Sequence, residues 1–350
     1  MTQAAKDLLL SVQGLKIHFF TNEGVIKAVD GASFEIERGK TLCVVGESGS
    51  GKSVAARAIL QIVHRPGKIV DGKILYHQQL SSITQTIDIT ALDPRGQAIR
   101  NIRGNDIAMI FQEPMTSLSP AYTVGNQIIE AIRLHTGVSK SEARNRAIEM
   151  LRRVGIPKPE RRVDEYPFRL SGGMRQRCMI AMALSCNPAL LIADEPTTAL
   201  DVTTQAQILD LMQSFKDDFD MSILFITHDL GVVAEIADDV AVMYLGNVIE
   251  RGDVDTIFNS PAHPYTTALL ESIPKIGPTR ERLDPIKGMV PSPFQRPTGC
   301  PFHPRCKHRI ENICDRVVPQ PLMVSENHET RCHLYDDAYQ PHITDAVQHG

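Results

Sequence analysis

The sequence predicts an α/β fold in which a helical insert interrupts the alternation of strands and helices, and an irregular segment follows. Three observations carry this. An apolar run from Thr41 to Val45 stops at a glycine-rich loop, and helical character follows from Ser53 to His64. Residues 123–153 then place apolar residues three to four apart, and from about 188 the strand–helix alternation returns. Finally, ten prolines fall between Pro261 and Pro304, a density that precludes long helices.

Taken in order, Leu15 to Phe20, Ala28-Val29 and Ala32 to Ile36 read as strands, the last by period-two alternation, and they predict an N-terminal antiparallel β subdomain. Thr41 to Val45 is apolar almost throughout, as a parallel strand covered on both faces is. Ile128, Ile129 and Ile132, then Ala147, Met150, Leu151 and Val154, mark helical faces in the insert. Ala189 to Ala193 reads as a strand, Val202 to Phe215 as a helix, and Met221 to Thr227 and Val240 to Tyr244 as strands. The expected layout is a main domain over 1–258 with a helical subdomain at about 113–185. An extension over 259–335 and a loose tail over 336–350 complete it.

A chain of 350 residues exceeds the usual single domain. At 42% hydrophobic and 22% charged, it can build a core and is too polar for a membrane protein. A formal net charge of −4 gives no reason to expect nucleic acid. The apolar triplet Leu8-Leu9-Leu10, between Asp7 and Gln13, is too short for a signal peptide. No stretch approaches the ~18 apolar residues of a membrane span. The expectation is a cytosolic chain with reduced thiols. Cys43, Cys178 and Cys186 lie in apolar surroundings and read as inert buried thiols, whereas Cys300, Cys306, Cys314 and Cys332 crowd the last fifth of the chain.

Gly46-Glu47-Ser48-Gly49-Ser50-Gly51-Lys52-Ser53 matches the Walker A pattern in full. Glycines let backbone N–H groups converge on phosphates, and the helix N-terminus adds favourable dipole charge. Lys52 can reach the β- and γ-phosphates, and the Ser53 hydroxyl can ligate Mg²⁺. A chance Gly/Ser turn is the bland alternative, which the strand–loop–helix context disfavours. Leu190-Leu191-Ile192-Ala193-Asp194-Glu195 reads as the Walker B counterpart: Asp194 for the Mg²⁺ shell, Glu195 to polarise an attacking water.

Leu170-Ser171-Gly172-Gly173-Met174-Arg175-Gln176 resembles the signature of the ABC ATPase superfamily, whose members have a P-loop NTPase (RecA-like) core. Ser171, Gly172 and Gly173 open a helix expected from about Arg175 to Leu184, and its N-terminus is a second anion cradle. The resemblance implies that this cradle faces the nucleotide of another subunit in a head-to-tail dimer. It further implies that Gln112 is the Q-loop residue, linking Mg²⁺ and water to the helical insert, and that Ala199-Leu200-Asp201 is the D-loop. His228 is then the switch histidine at the γ-phosphate, and Phe19, with Phe20 beside it, the aromatic that stacks on adenine.

The resemblance extends to the ATPase subunits of dipeptide and oligopeptide importers, a group that includes nickel importers. Phe111 to Pro120, His263-Pro264-Tyr265-Thr266, Met289-Val290-Pro291-Ser292 and Gly299 to Cys306 carry it. It implies an ATPase that drives peptide import from the cytoplasmic face of the membrane. Its implied partners are a second, paralogous ATPase, two membrane permeases and a substrate-binding protein, with no nucleic acid. Nickel or glutathione import, a soluble non-transport ABC ATPase and a non-catalytic regulatory subunit are the alternatives. Gaps of five, seven and seventeen residues separate the four late cysteines. Zinc sites favour pairs two to four apart, so these thiols suit a [4Fe–4S] cluster better, with zinc second and free thiols third; the resemblance implies the cluster too. His303, His308, His328 and His333 read as bystanders.

Overall fold

The computed structural model describes residues 7–80, 83–112, 117–198, 200–273, 286–292 and 294–342. Its contacts divide into two compact units that interleave along the chain. The first takes the N-terminal residues to Leu10, Ile36–Thr41 and Tyr76–Ile226; the second takes Ser11–Glu35, Leu42–Leu75 and Thr227 onward.

In the second unit, β1 (Leu8–Thr21), β2 (Gly24–Glu37) and β4 (Gly67–Leu80) lie in the order β2-β1-β4. The strands are longer than their apolar patterns predict, because Leu8-Leu9-Leu10 begins β1 rather than standing alone. A second sheet of this unit holds β3 (Thr41–Val45), buried along its whole length, and β9 (Asp239–Tyr244), parallel to it with Leu42 opposite Asp239 and Val45 opposite Val242. β10 (Asn247–Asp253) returns antiparallel to β9. The helices here are α1 (Lys52–Ile59), α8 (Leu230–Ile236), α9 (Val254–Asn259) and α10 (Pro264–Glu271). α1 stops short of the predicted His64.

The extension is less irregular than its prolines suggest. β12 (His328–Thr330) pairs antiparallel with β10, Glu250 opposite Thr330, and β11 (Leu322–Ser325) pairs with β12. The prolines end before these strands begin, so nothing there removes a ladder donor. Of the tail expected at 336–350, Asp337–His342 forms a short 3-10 helix, and 343–350 lies outside the described residues.

In the first unit, β5 (Ile83–Asp88) follows the end of β4. Three parallel strands form the sheet of this unit: β6 (Ile107–Ile110), β7 (Leu190–Asp194) and β8 (Ser222–Ile226), with Ile110 opposite Ala193 and Asp194 opposite Ile226. All are fully buried, as parallel strands covered on both faces must be. The helices are α2 (Gln97–Ile102), α3 (Val124–Thr136), α4 (Lys140–Arg153), α5 (Pro159–Arg162), α6 (Gly172–Leu184) and α7 (Val202–Phe219).

Two helices of the insert begin where their caps dictate. Thr123 accepts from Asn126 N at 3.2 Å and starts α3, which buries Ile128, Ile129 and Ile132 and ends at left-handed Gly137. Ser139 accepts from Glu142 N and starts α4, which buries Ala143, Ala147, Met150 and Leu151. Among the described residues no helix is long and apolar enough to cross a membrane.

Candidate functional site

In the second unit, β3 delivers the chain to Gly46, which sits at φ 145°. A Cβ there would stand 2.1 Å from Met243 O and 3.1 Å from Ser50 Oγ, so only glycine lets the strand pass into the loop. Gly51, at φ 98°, passes as closely: its Cβ would stand 2.3 Å from Ala28 O. Ser48 and Gly49 are exposed at the tip of the loop. Helix α1 starts at Lys52, and Ser53 follows, half-buried. Lys52 is 6% exposed, and its Nζ donates to Gly46 O at 2.7 Å, Glu47 O at 3.1 Å and Ser50 Oγ at 3.3 Å. The loop thus folds around the ammonium group.

The loop is also held from the side. Glu47 N donates to Tyr265 Oη at 2.8 Å. Tyr265 lies on α10, whose N-cap is His263: its Nδ1 accepts from Tyr265 N at 3.0 Å. Two backbone N–H groups, of Ala262 and His263, donate to the buried Glu250 carboxylate. Burial pushes the His263 pKa down to about 3. An unfolded chain would protonate this ring near its ordinary value of about 6.5. The stability it lends is therefore complete above that value and is lost as pH falls toward 3, by about 1.4 kcal/mol per pH unit. Melting temperatures of the wild-type chain are expected to fall between pH 6 and pH 4 more steeply than those of His263→Asn. Parallel curves would refute the assignment.

His228 is exposed between Thr227 and the start of α8, where Asp229 caps the helix through Gly231 N. Of the two aromatics on β1, Phe19 is half-buried and Phe20 is 46% exposed. The Phe19 ring edge lies against Gly67, where a Cβ would stand 2.8 Å from Cε1, and Lys68 Nζ lies 5.9 Å from the Phe20 centroid.

In the first unit, β7 ends at Asp194, which is 0% exposed. Glu195 then adopts φ 48°, a left-handed backbone rare for a branchless acidic residue, with its N–H donating to Ile226 O at 2.9 Å. Its carboxylate accepts from Gln112 Nε2 at 2.9 Å and from Thr198 Oγ1 at 3.0 Å. Gln112 and Glu195, 83 positions apart, are thereby brought together. Residues 113–116, which follow Gln112, lie outside the described residues.

Ser171 caps α6, accepting from Met174 N at 3.3 Å, so the helix begins at Gly172, three residues before the expected Arg175. A Cβ on Gly172 would meet nothing within 4 Å, which leaves this helix tip open to an approaching group. Gln176 lies in the signature stretch, where the sequence assigns it no role of its own. It is 1% exposed and its Nε2 donates to Pro196 O at 2.5 Å, joining the signature helix to the turn after Glu195. Beyond its place in the signature stretch, its sequence signal is an amide on a helix face otherwise filled by residues such as Met179 and Ile180. Asp201 caps α7. The Thr204 amide and hydroxyl donate to it at 2.9 and 2.7 Å and hold its carboxyl below the usual carboxylate range. Its expected neighbour Ala199 lies outside the described residues.

The four late cysteines are free thiols in the second unit. Burial pushes Cys300 up to about 12 and Cys306 to about 11, and raises Cys314 and Cys332 as well; Cys332 also feels Cys300, Cys306 and Cys314. Cys300 N donates to Cys314 O at 2.8 Å, and Ile310 N donates to Cys314 Sγ at 3.3 Å. Among the described residues, however, no group of three or more His, Cys, Asp or Glu is arranged to hold a metal ion. The expected cluster therefore has its donors in one lobe but no preformed cage. Two of the supposed bystanders are structural: His328 Nε2 bonds to Glu250 Oε1 at 2.7 Å, and His333 Nε2 to Val317 O at 2.9 Å.

Amides and an ammonium group that gather anionic oxygen, and carboxylates that end a buried strand, serve phosphoanhydride hydrolysis with a divalent ion. By class the protein is a P-loop ATPase. Residues 29–198 match the ABC transporter family model, and residues 249–314 match the model for the C-terminal region of oligopeptide/dipeptide transporters. The oligopeptide transport ATP-binding protein AppD of Bacillus subtilis is 50% identical over 94% of this chain and 97% of its own length. The dipeptide transport ATP-binding protein DppD of Escherichia coli is 46% identical over 95% and 99%. Among solved structures, the ATP-binding cassette MJ0796 bound to ADP and Pi covers 70% of this chain and 99% of its own, with a TM-score of 0.59 and 26% identity. The cbiO1 protein of Clostridium perfringens, part of the ABC transporter complex cbiONQ, covers 73% and 92% with a TM-score of 0.58 and 27% identity. The chain belongs to the ATP-binding subunits of the ABC transporter family, in the dipeptide/oligopeptide importer group.

Proposed function

We propose that this chain hydrolyses ATP to energise the import of dipeptides or oligopeptides through a membrane ABC transporter. The observation that carries the catalytic half is the Glu195 carboxylate, fixed one residue beyond a buried strand-end aspartate and held by Gln112. The peptide half is supported by the AppD and DppD relatives and the match of the extension.

In this reading Glu195 orients and activates the attacking water. Gln112 senses that water through the hydrogen bond it already makes to Glu195. His228 contacts the γ-phosphate, Lys52 takes the β- and γ-phosphates, and the amides of Gly46, Glu47, Ser48, Gly49, Ser50 and Gly51 line the loop. Ser53 and Asp194, with Gln112, offer the hard oxygen donors that suit Mg²⁺, an ion that offsets phosphate charge when bound. Phe19 stacks on adenine, with Phe20 as the competing ring. Ser171, Gly172 and Gly173 serve the ATP of a second, paralogous subunit, and Asp201 lies at that dimer contact. Two permeases and a substrate-binding protein complete the assembly at the cytoplasmic face of the membrane.

For the extension we propose that Cys300, Cys306, Cys314 and Cys332 hold a [4Fe–4S] cluster, zinc being the alternative. Four free thiols in one lobe, with an amide donating to one sulfur, support it by number and kind. Such a cluster would cross-link four chain segments through iron–thiolate bonds.

The deciding experiment is uptake in a strain lacking the gene. Labelled dipeptides and oligopeptides should accumulate only when the wild-type chain is restored; restored nickel or glutathione uptake alone would replace the cargo. Protein purified anaerobically from the same strain is expected to be brown. A colourless, zinc-bearing preparation would give the cysteines to zinc.

A further inference from the structure

One side chain of the extension reaches the phosphate loop. Arg305 ends a short turn, His303–Arg305, directly before Cys306. Its Nη1 donates to Glu47 Oε2 at 2.7 Å and its Nη2 to Glu47 Oε1 at 3.0 Å, a two-point pair with the second residue of the loop. The Arg305 side chain is 3% exposed and that of Glu47 25%. Its remaining donors are also engaged, by Lys287 O at 3.2 Å, Ile286 O at 3.4 Å and Tyr244 Oη at 3.4 Å. The rings of Tyr244 and Phe302 each lie 5.9 Å from the guanidinium carbon. A guanidinium fixed from so many sides loses little further freedom in gripping the carboxylate.

Glu47 is an unfavourable residue for a loop that receives a triphosphate, because a bare carboxylate there repels the ligand. Paired at two points, it presents no net charge and still anchors the loop. We infer that Arg305 is a positioning residue of the nucleotide site, which cancels the Glu47 charge and so sets the affinity of the loop for polyphosphate. The inference rests on reading residues 46–53 as the phosphate loop. It makes the cysteine-bearing extension a working part of nucleotide binding, since Cys306 is the next residue along the chain.

The test is equilibrium titration of the purified full-length chain with ATP, ADP and AMP. Arg305→Ala is expected to weaken ATP about tenfold, the order of one strong charge-assisted pair, with a smaller loss for ADP and the least for AMP. Adding Glu47→Gln to that variant should restore most of the affinity, because the repelling charge is gone. Equal losses for all three nucleotides, or a double variant no better than the single, would overturn the inference and leave the pair as a fold contact only. If Arg305→Ala does not accumulate as folded protein, Glu47→Gln alone decides. It leaves the guanidinium uncompensated, so ATP should bind severalfold more tightly at low salt, with the gain fading as salt rises. Unchanged or weaker binding would overturn the inference. A wild-type chain that binds no nucleotide would instead remove the phosphate-loop reading itself.

Discussion

Replacing Glu195 by Gln is expected to lower ATP turnover of the assembled transporter roughly 10²–10⁴-fold while ATP binding persists. The change removes basicity at one atom pair and keeps the shape of the side chain. Its neighbours are set to receive it: Thr198 Oγ1 can still donate, and the Gln112 amide can turn to present its oxygen. The left-handed backbone at φ 48° is a property of the turn and should survive the substitution. Single-turnover hydrolysis beside a binding isotherm separates the two effects. Unaltered turnover would mean that another group activates the water.

The second large effect is on folding. Gly46→Ala is expected to destabilise the second unit by about 3 kcal/mol or more, because its Cβ would lie 2.1 Å from a backbone oxygen at a φ that L-residues avoid. The clash is with Met243 O on β9, part of the parallel ladder, and cannot be relieved by turning a side chain. Gly49→Ala is the control. It has positive φ but no atom within 4 Å of the new Cβ, so only backbone strain of about 1 kcal/mol applies. Denaturant unfolding of the two variants should differ in midpoint accordingly, and equal midpoints would show that the β9 contact yields.

These contrasts follow the division between what was legible in the sequence and what was not. The loop at Gly46–Ser53 and the strand end at Asp194-Glu195 could be read directly, because phosphate and metal chemistry demands fixed residue types at fixed local spacing. So could α3 and α4, whose caps and buried faces are written within one helix length. The start of α6 was misread. Two glycines argue against helix by propensity, yet the Ser171 cap and the open space at Gly172 let the helix begin there. Contacts across long separations left no local trace. The hydrogen bond from Gln112 to Glu195 joins residues 83 apart, and the grip of Arg305 on Glu47 spans 258. Gln176 was hidden for a related reason, since its partner is a backbone oxygen that any residue could supply.

The seating of β12 against β10 bears on how the chain can be shortened. A chain ending near residue 320 would bare a row of amide and carbonyl groups along β10, an invitation to pair with another molecule. It would also strand Glu250 in the interior without the imidazole of His328. The short four-residue β11 that now borders the sheet blunts that invitation. This chain cut back to its ATPase core is therefore expected to self-associate, and grafts into it should carry the whole C-terminal piece across.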